Sequence, residues 1–457
     1  MSGEAPAAAA TRFWTLGRVA DALGVGPADG RPLRAVATDT RALVPGDLFV
    51  ALRGERFDAH DFLADAKARG AAALVVARPQ AAAGSGLPCY VVGDTMVALG
   101  RLARYRRRSW ARPVVGVAGS NGKTSTKELL RAALGAAFDV HATHGNLNNR
   151  VGVPLTLLAA PDEAELAVIE IGTSLPGEVA ALREIAEPDV AVVTSIAEEH
   201  LEGLGDLAGV LREESAIFDG TELAVVPAGQ PEVGEAARGR ARRVISAGLD
   251  AGDLRAARWD IAPDGLGWVE LDGATVRPPL RGVHNLRNAM LALAVAREFG
   301  VALDAAAEGI AAMQVPAMRS AWEPLGRAVL INDAYNANPG STRAALELLE
   351  RAGAGRQRVA VLGTMRELGT HGEKLHAEIA RLALRSSIEV VAGVGDFADA
   401  LAAAGAGDPR VVTAPDVPDL WPALSPRLAT DAMILLKGSR GVALERLLPS
   451  LRTWAGA

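Results

Sequence analysis

The stretch Val114-Val115-Gly116-Val117-Ala118-Gly119-Ser120-Asn121-Gly122-Lys123-Thr124-Ser125 constrains this chain more than any other. An apolar strand runs into a glycine-rich turn, and the helical pattern Thr126-Lys127-Glu128-Leu129-Leu130-Arg131 follows. Glycines at the turn let backbone N–H groups converge on an anion, and the helix N-terminus adds positive potential. Lys123 is then placed to supply a point charge at the β- and γ-phosphates, and the Thr124 hydroxyl to coordinate Mg²⁺. The spacing is G-x-x-G-x-x-G-K-T, which departs from G-x-x-x-x-G-K-[ST] because Val117 stands where the first glycine would be. The strand–turn–helix context still predicts an ATP-binding loop, Gly119 to Ser125, on a parallel sheet.

The rest of the chain repeats the same grammar of apolar strand, turn and helix, which predicts an α/β fold with mainly parallel sheets. A length of 457 residues suggests about three domains. The predicted divisions are 1–112, 113–317 and 318–457. In the first, Leu16–Leu23 and Phe62–Arg69 read as helices, and Asp47–Leu52 and Ala73–Val76 as strands. It closes on a basic helix, Arg101 to Arg108, read as a solvated face in preference to an anion site. In the second, strands at 114–118, 167–171 and 190–193 precede a turn-rich stretch, 221–281, and a helix from Asn285 to Phe299. In the third, strands at 328–331, 359–362, 390–392 and 432–436 alternate with helices, as in a Rossmann-like doubly wound sheet.

Composition narrows the function class. Net charge is −6 and aromatics are 4 % of residues, with a pI near 5.8, which argues against a nucleic-acid binder. The single cysteine, Cys89, allows no intramolecular disulfide and fits a reducing compartment. It lies in Leu87–Val92, read as a buried strand. The N-terminus carries no basic segment before an apolar one, its Ala-rich residues 5–10 read as a frayed tail, and no apolar run reaches membrane-spanning length. A cytoplasmic protein without nucleic-acid or membrane partners is expected.

An ATPase needs an acid at the tip of a neighbouring strand, and Glu170 ends the run Leu166-Ala167-Val168-Ile169. His200 follows another apolar strand. His141 with His144, and His371 with His376, lack ligand spacing. Gly393 and Gly395 form a G-x-G with alanine at 398, too little for a dinucleotide site.

These motifs in order resemble the Mur ligases, and the resemblance runs through nearly the whole chain. Thr38-Asp39-Thr40-Arg41 and Gly46–Leu52 come first, then the phosphate loop. Gly145-Asn146-Leu147-Asn148-Asn149 leads into Gly152–Thr156. Glu170-Ile171-Gly172, Pro176-Gly177-Glu178, His200-Leu201-Glu202-Gly203, His284-Asn285 and Asn288 follow. Asp333-Ala334-Tyr335-Asn336-Ala337-Asn338-Pro339 and Lys437-Gly438-Ser439-Arg440 close the series. The phosphate loop alone would admit folylpolyglutamate synthetases and every Mur ligase. The 145–149 and 335–339 runs are more specific and are similar to the branch that joins D-alanyl-D-alanine to UDP-N-acetylmuramoyl-tripeptide.

The resemblance implies a UDP-substrate domain, a central ATPase domain and a closing C-terminal domain. It implies ATP and Mg²⁺ as cofactors, and an acyl phosphate that the dipeptide amine attacks. Lys123, Glu170 and His200 would be catalytic. Thr124 and Glu170 would hold one Mg²⁺, and His200 would help to hold a second. Asn285 and Asn288 would contact the adenine region, while Arg319 and Asp333 would reach phosphate and ribose. Thr40 and Arg41 would take the UDP end, the family usually having serine in place of Thr40. Asn146, Asn148 and Asn149 would hold the muramoyl-peptide side, and Asn336 and Asn338 the D-alanyl-D-alanine side. Lys437, Ser439 and Arg440 could close on an anion. The family commonly carries a carbamylated lysine after the His200 region, but this chain has no lysine between Lys127 and Lys374. Glu214 takes that place and is expected to support the second Mg²⁺. Two other readings stay open: a different ligase of the superfamily, or a non-catalytic ATP-binding switch. The peptide's third residue, lysine or diaminopimelate, is open too, and the enzyme is expected to be a monomer.

Overall fold

A computed structural model describes residues 13–54, 57–316 and 318–456. The Ala-rich tail, 5–10, lies outside the described residues. The chain is α/β with predominantly parallel sheets and folds into two compact units. The first takes the residues up to Val117, 138–173 and 177–191; the second takes 118–137, 174–176 and 192–456.

In the first unit, strands Val36–Ala37, Leu48–Val50, Ala73–Val76 and Cys89–Val91 lie side by side in that order, all parallel. The second and third strands are buried along their whole length, as expected where a parallel sheet is covered on both faces. Phe49, Leu63, Leu74 and Val76 are core residues of this layer. Cys89 is partly buried rather than a core thiol, because its strand is the last of the four; burial nevertheless raises its pKa. Strands Val114–Ala118, Leu166–Glu170 and Val140–Ala142 form a second parallel set.

The basic helix is longer than expected, Thr95–Trp110, with Asp94 capping its N-terminus. Its arginines divide: Arg101 and Arg108 are exposed, as expected of a solvated face, but Arg106 and Arg107 are buried. Arg106 is 2 % exposed and donates to the Ala160 carbonyl and to Asp162. Arg107 donates to the carbonyls of Ala186 and Glu187 and to Asp189, and Arg104 and Arg108 converge on Glu187. Long aliphatic stems let a buried arginine reach polar partners at some distance, and Arg107 delivers its guanidinium to the end of helix Glu178–Ala186.

In the second unit, helices Lys123–Leu134 and Val283–Glu298 pack together. The turn-rich stretch resolves into parallel strands Leu223–Pro227, Arg243–Gly248 and Leu254–Arg255 and an antiparallel sheet, Arg258–Ile261, Gly267–Leu271 and Ala274–Val276. The last segment forms a six-stranded sheet in the order 321–325, 328–333, 433–437, 358–363, 390–394, 411–414. Only the first pairing is antiparallel. The final strand of the chain inserts beside Ala328–Asp333, so Asp333 and Lys437 are opposed at the carboxyl ends of two parallel neighbours. Ligands in open α/β sheets bind at that edge.

Candidate active site

The phosphate loop is fixed by two glycines. Gly119 has φ +116° and a Cβ there would lie 2.5 Å from Thr194 Oγ1; Gly122 has φ +87° and a Cβ would lie 2.7 Å from Asn288 Nδ2. Side chains are excluded at both positions on conformational and steric grounds. Several loop N–H groups are already engaged. Gly119 donates to Glu214 at 2.7 Å, Ser120 to the Ser195 carbonyl and Asn121 to Ser195 Oγ. The Ser120 hydroxyl accepts from the Ala197 N–H. The part of the loop that opens on a cavity is therefore Asn121, Gly122 and Ser125 at the helix start.

That cavity has a volume of about 490 Å³ and lies wholly within the second unit. Asn285, Asn288, Arg319, Asp333 and Lys437 line it together with the loop. Asn288 donates to Asn285 Oδ1 and Asn285 donates to the Arg281 carbonyl, so the helix presents both amides as a fixed pair. Arg319 donates to Thr124 Oγ1 at 3.1 Å and its guanidinium covers the Tyr335 ring. Lys437 and Asp333 form a buried ion pair at 2.7 Å, and Asp333 also accepts the Ser320 N–H. His284 lines the same wall, and burial pushes its pKa down to about 4, so the ring is neutral. Sequence reasoning missed Gln230, whose amide pairs both ways with the Ile196 backbone, and Asp250, which also lines the cavity. Neither sits in a motif; the fold alone brings them there.

A second cluster gathers around Lys123. Its ammonium contacts the Gly119 carbonyl and lies 3.7 Å from Glu199. His200 Nε2 is 3.8 Å from Glu199, and His200 Nδ1 meets the Glu367 carboxylate. Glu214 is fully buried, and its pKa is pushed up to about 7 by burial, with Glu199 adding to the rise while Lys123, the Gly119 N–H and His200 oppose it. Burial works against charge on His200, but Glu367 and Glu199 outweigh it and raise its pKa. Glu199 and Glu367 were not singled out in the sequence, although Glu199 directly precedes His200. Among the described residues no group of three or more His, Cys, Asp and Glu forms a ready metal cage. Yet Glu199 Oε1 and Glu214 Oε1 are buried with no hydrogen-bond partner among the described residues. Two buried carboxylate oxygens without donors suit a hard divalent cation whose other ligands are phosphate oxygens and water.

Asn338 is 2 % exposed. Its side chain caps helix Pro339–Ala352 and exchanges two hydrogen bonds with Asn121. Asn336 is exposed and offers its carbonyl to Lys437. Ser439 accepts the Arg366 N–H, and Arg440 pairs with Glu445; neither lines the cavity.

The first unit holds the remaining candidates. Glu170 is 1 % exposed and accepts from Asn148 at 2.8 Å. Asn149 caps the turn into helix Gly152–Leu158, and Asn146 is exposed. Thr40 and Arg41 form a short helical turn capped by Asp39, which also pairs with the Arg41 guanidinium. Thr38, Asp39 and Ala42 line a mainly apolar cavity of about 130 Å³ with His141 and His144.

The chain is similar to known proteins along most of its length. Residues 32–107 match the Mur ligase family catalytic domain, 117–296 the Mur ligase middle domain and 319–440 the Mur ligase glutamate ligase domain. A UDP-N-acetylmuramoyl-tripeptide–D-alanyl-D-alanine ligase of Escherichia coli is 37 % identical over 92 % of this chain and 94 % of its own length. The Bacillus subtilis enzyme of that name is 35 % identical over 92 % and 93 %. A crystal structure of MurF from Acinetobacter baumannii superposes with a TM-score of 0.88 at 32 % identity, covering 96 % of this chain and 99 % of that one. MurF ligase from Thermotoga maritima in complex with ADP gives 0.82 at 27 %, covering 93 % and 98 %. A phosphate loop backed by two asparagines, a strand-edge ion pair and an acidic cluster thus stands in a chain alike over nearly its full length, and the chain belongs to the Mur ligase family of ATP-dependent ligases.

Proposed function

We propose that this enzyme joins D-alanyl-D-alanine to the terminal carboxylate of UDP-N-acetylmuramoyl-tripeptide, consuming ATP, in peptidoglycan precursor synthesis. The observation that carries the nucleotide half of the reading is the cavity shared by the phosphate loop, Asn285, Asn288, Arg319 and the Asp333–Lys437 pair. The substrate half rests on relatives at 35–37 % identity over 92 % of the chain.

A carboxylate is a poor electrophile. Its oxygen attacks the γ-phosphorus, giving an acyl phosphate and ADP; the dipeptide amine then adds to the carbonyl, and the tetrahedral intermediate expels phosphate. Catalysis of this kind is positioning and charge neutralisation. Lys123 counters charge on the transferred phosphoryl group. Asn285 and Asn288 orient the base, Asp333 the ribose, and Arg319 braces Thr124 while offering charge to the phosphates. Thr124 and Glu170 would hold one Mg²⁺, and His200 with Glu214 a second, and the ions would neutralise phosphate charge when bound. Glu199 belongs with that set because it faces Lys123 and His200.

Thr40 and Arg41 take the UDP end, and Asn146, Asn148 and Asn149 the muramoyl peptide. On the D-alanyl-D-alanine side Asn336 is the exposed candidate, whereas Asn338 acts by holding Asn121. Lys437 is the anion contact of its group, and Ser439 and Arg440 support its loop. The domains divide at 112/113 and 317/318, a division supported by the three stretches matched by the family. The enzyme works as a cytoplasmic monomer; no helix among the described residues is long and apolar enough to cross a membrane.

Phosphate release measured with each substrate alone and with both tests the reading. Release only when UDP-muramoyl-tripeptide and D-alanyl-D-alanine are both present is expected, and parallel assays with lysine and diaminopimelate peptides identify the third residue. Release with neither acceptor would favour an ATP-binding switch.

A further inference from the structure

We propose that Glu367 is a positioning residue that fixes the ring of His200, turning Nε2 toward the buried acids beside Lys123. The inference rests on the role given to His200 above. The Glu367 carboxylate meets His200 Nδ1. A carboxylate cannot donate, so Nδ1 carries the proton and Nε2 is left facing Glu199, 3.8 Å away.

Two features set this contact apart from an ordinary surface pair. First, both partners hold left-handed backbone, with φ +51° at His200 and +65° at Glu367. Such conformations are disfavoured for non-glycine residues and persist where the surroundings over-determine them, often at functional sites. Second, the backbones are pinned independently of the side chains. The Glu202 N–H donates to the Glu367 carbonyl at 3.1 Å, and the His371 ring reaches the Gly205 carbonyl at 3.2 Å. Gly369, φ +54°, approaches so closely that a Cβ would lie 3.0 Å from Glu202 Cα. The loop carrying Glu367 is thus seated on the one helical turn, Leu201–Leu204, that His200 begins. Glu367 is half-exposed, so the pair should add little to stability; its effect lies in ring orientation.

The test uses the full chain. Glu367→Ala should lower kcat about 10- to 100-fold, the usual cost of removing a group that orients a ligand, while KM for ATP changes less than about twofold. Glu367→Gln, isosteric and still an acceptor, should recover most of the loss. In a His200→Ala background Glu367→Ala should have no further effect. With ¹⁵N-histidine-labelled protein, long-range ¹H–¹⁵N spectra should show His200 protonated at Nδ1 in wild type and Glu367→Gln, and mixed in Glu367→Ala. Unchanged kcat in Glu367→Ala, an equal loss in both backgrounds, or an unchanged His200 signal would each overturn the proposal. A fully active His200→Ala would instead overturn the role given to His200, and the spectra would still decide what Glu367 does.

Discussion

Lys123 and Glu214 both bond to Gly119 of the phosphate loop, Lys123 at its carbonyl and Glu214 at its N–H. The Lys123 ammonium already lies on the loop, against the Gly119 carbonyl, so Lys123→Ala should leave the fold intact. Loss of a charge aimed at the transferred group should lower kcat at least about 100-fold, measured by phosphate release at saturating substrates. Glu214 is more unusual: a carboxylate fully buried, tied to one loop N–H and repelled by Glu199. Its folded pKa, about 7, lies above the ordinary glutamate value of 4.5. Below pH 4.5 the group is neutral in both states and costs nothing. As pH rises from about 4.5 to about 7 the unfolded chain ionises first, so stability of the metal-free enzyme falls across that window. Glu214→Gln should flatten this dependence and melt higher than wild type at pH 8 in EDTA. The same variant should need more Mg²⁺ for half-maximal rate, and wild-type activity should ignore added bicarbonate. Full activity of Glu214→Gln at limiting Mg²⁺ would remove Glu214 from the metal site.

At the scale of elements, strands and the phosphate-loop helix were legible because their signals are local. A run such as Ala432-Met433-Ile434-Leu435-Leu436 reads as a buried strand from hydrophobicity and length alone. The basic helix was read correctly at Arg101 and Arg108 but not at Arg106 and Arg107, because periodicity counts charges but does not see reach. Arg106 sits where a charged residue should be exposed, yet it crosses to the Ala160 carbonyl, far along the chain. Arg106→Met, which keeps the stem and leaves that carbonyl without its donor, should cost about 1–3 kcal/mol in urea unfolding. The candidate site divides in the same way. Lys123 and Thr124 follow from a contiguous motif, and Asn285 and Asn288 from the family resemblance. Glu199, Glu367 and Gln230 act through partners distant in sequence, and Asn338 read as a ligand contact although its amide is committed to Asn121.

For the molecule as a whole, the cavity proposed for the nucleotide draws its walls from the middle and final segments of the chain. Binding therefore links the stability of both. MgADP at about 100 times its dissociation constant should stabilise the protein by about 2.7 kcal/mol. Hydrogen exchange should slow together at 119–125, 284–288 and 319–341. Protection confined to the phosphate loop would show that the final segment does not close the nucleotide site.

The paired amides of Asn121 and Asn338 also set how the protein ages. Asn121 precedes Gly122, and an asparagine before glycine deamidates readily, because the unhindered backbone nitrogen of the glycine attacks the side-chain carbonyl. Here that carbonyl is held by Asn338 and the amide nitrogen by Asn338 Oδ1, so the ring closure that starts the reaction must first break both bonds. Conversion to aspartate would replace a donor by a negative charge at the mouth of a phosphate site and weaken ATP binding. Stored Asn338→Ala protein should accumulate a one-dalton gain at Asn121 faster than wild type, with ATP affinity fading in step, so that the useful life of a preparation is set by a single pair of side-chain amides.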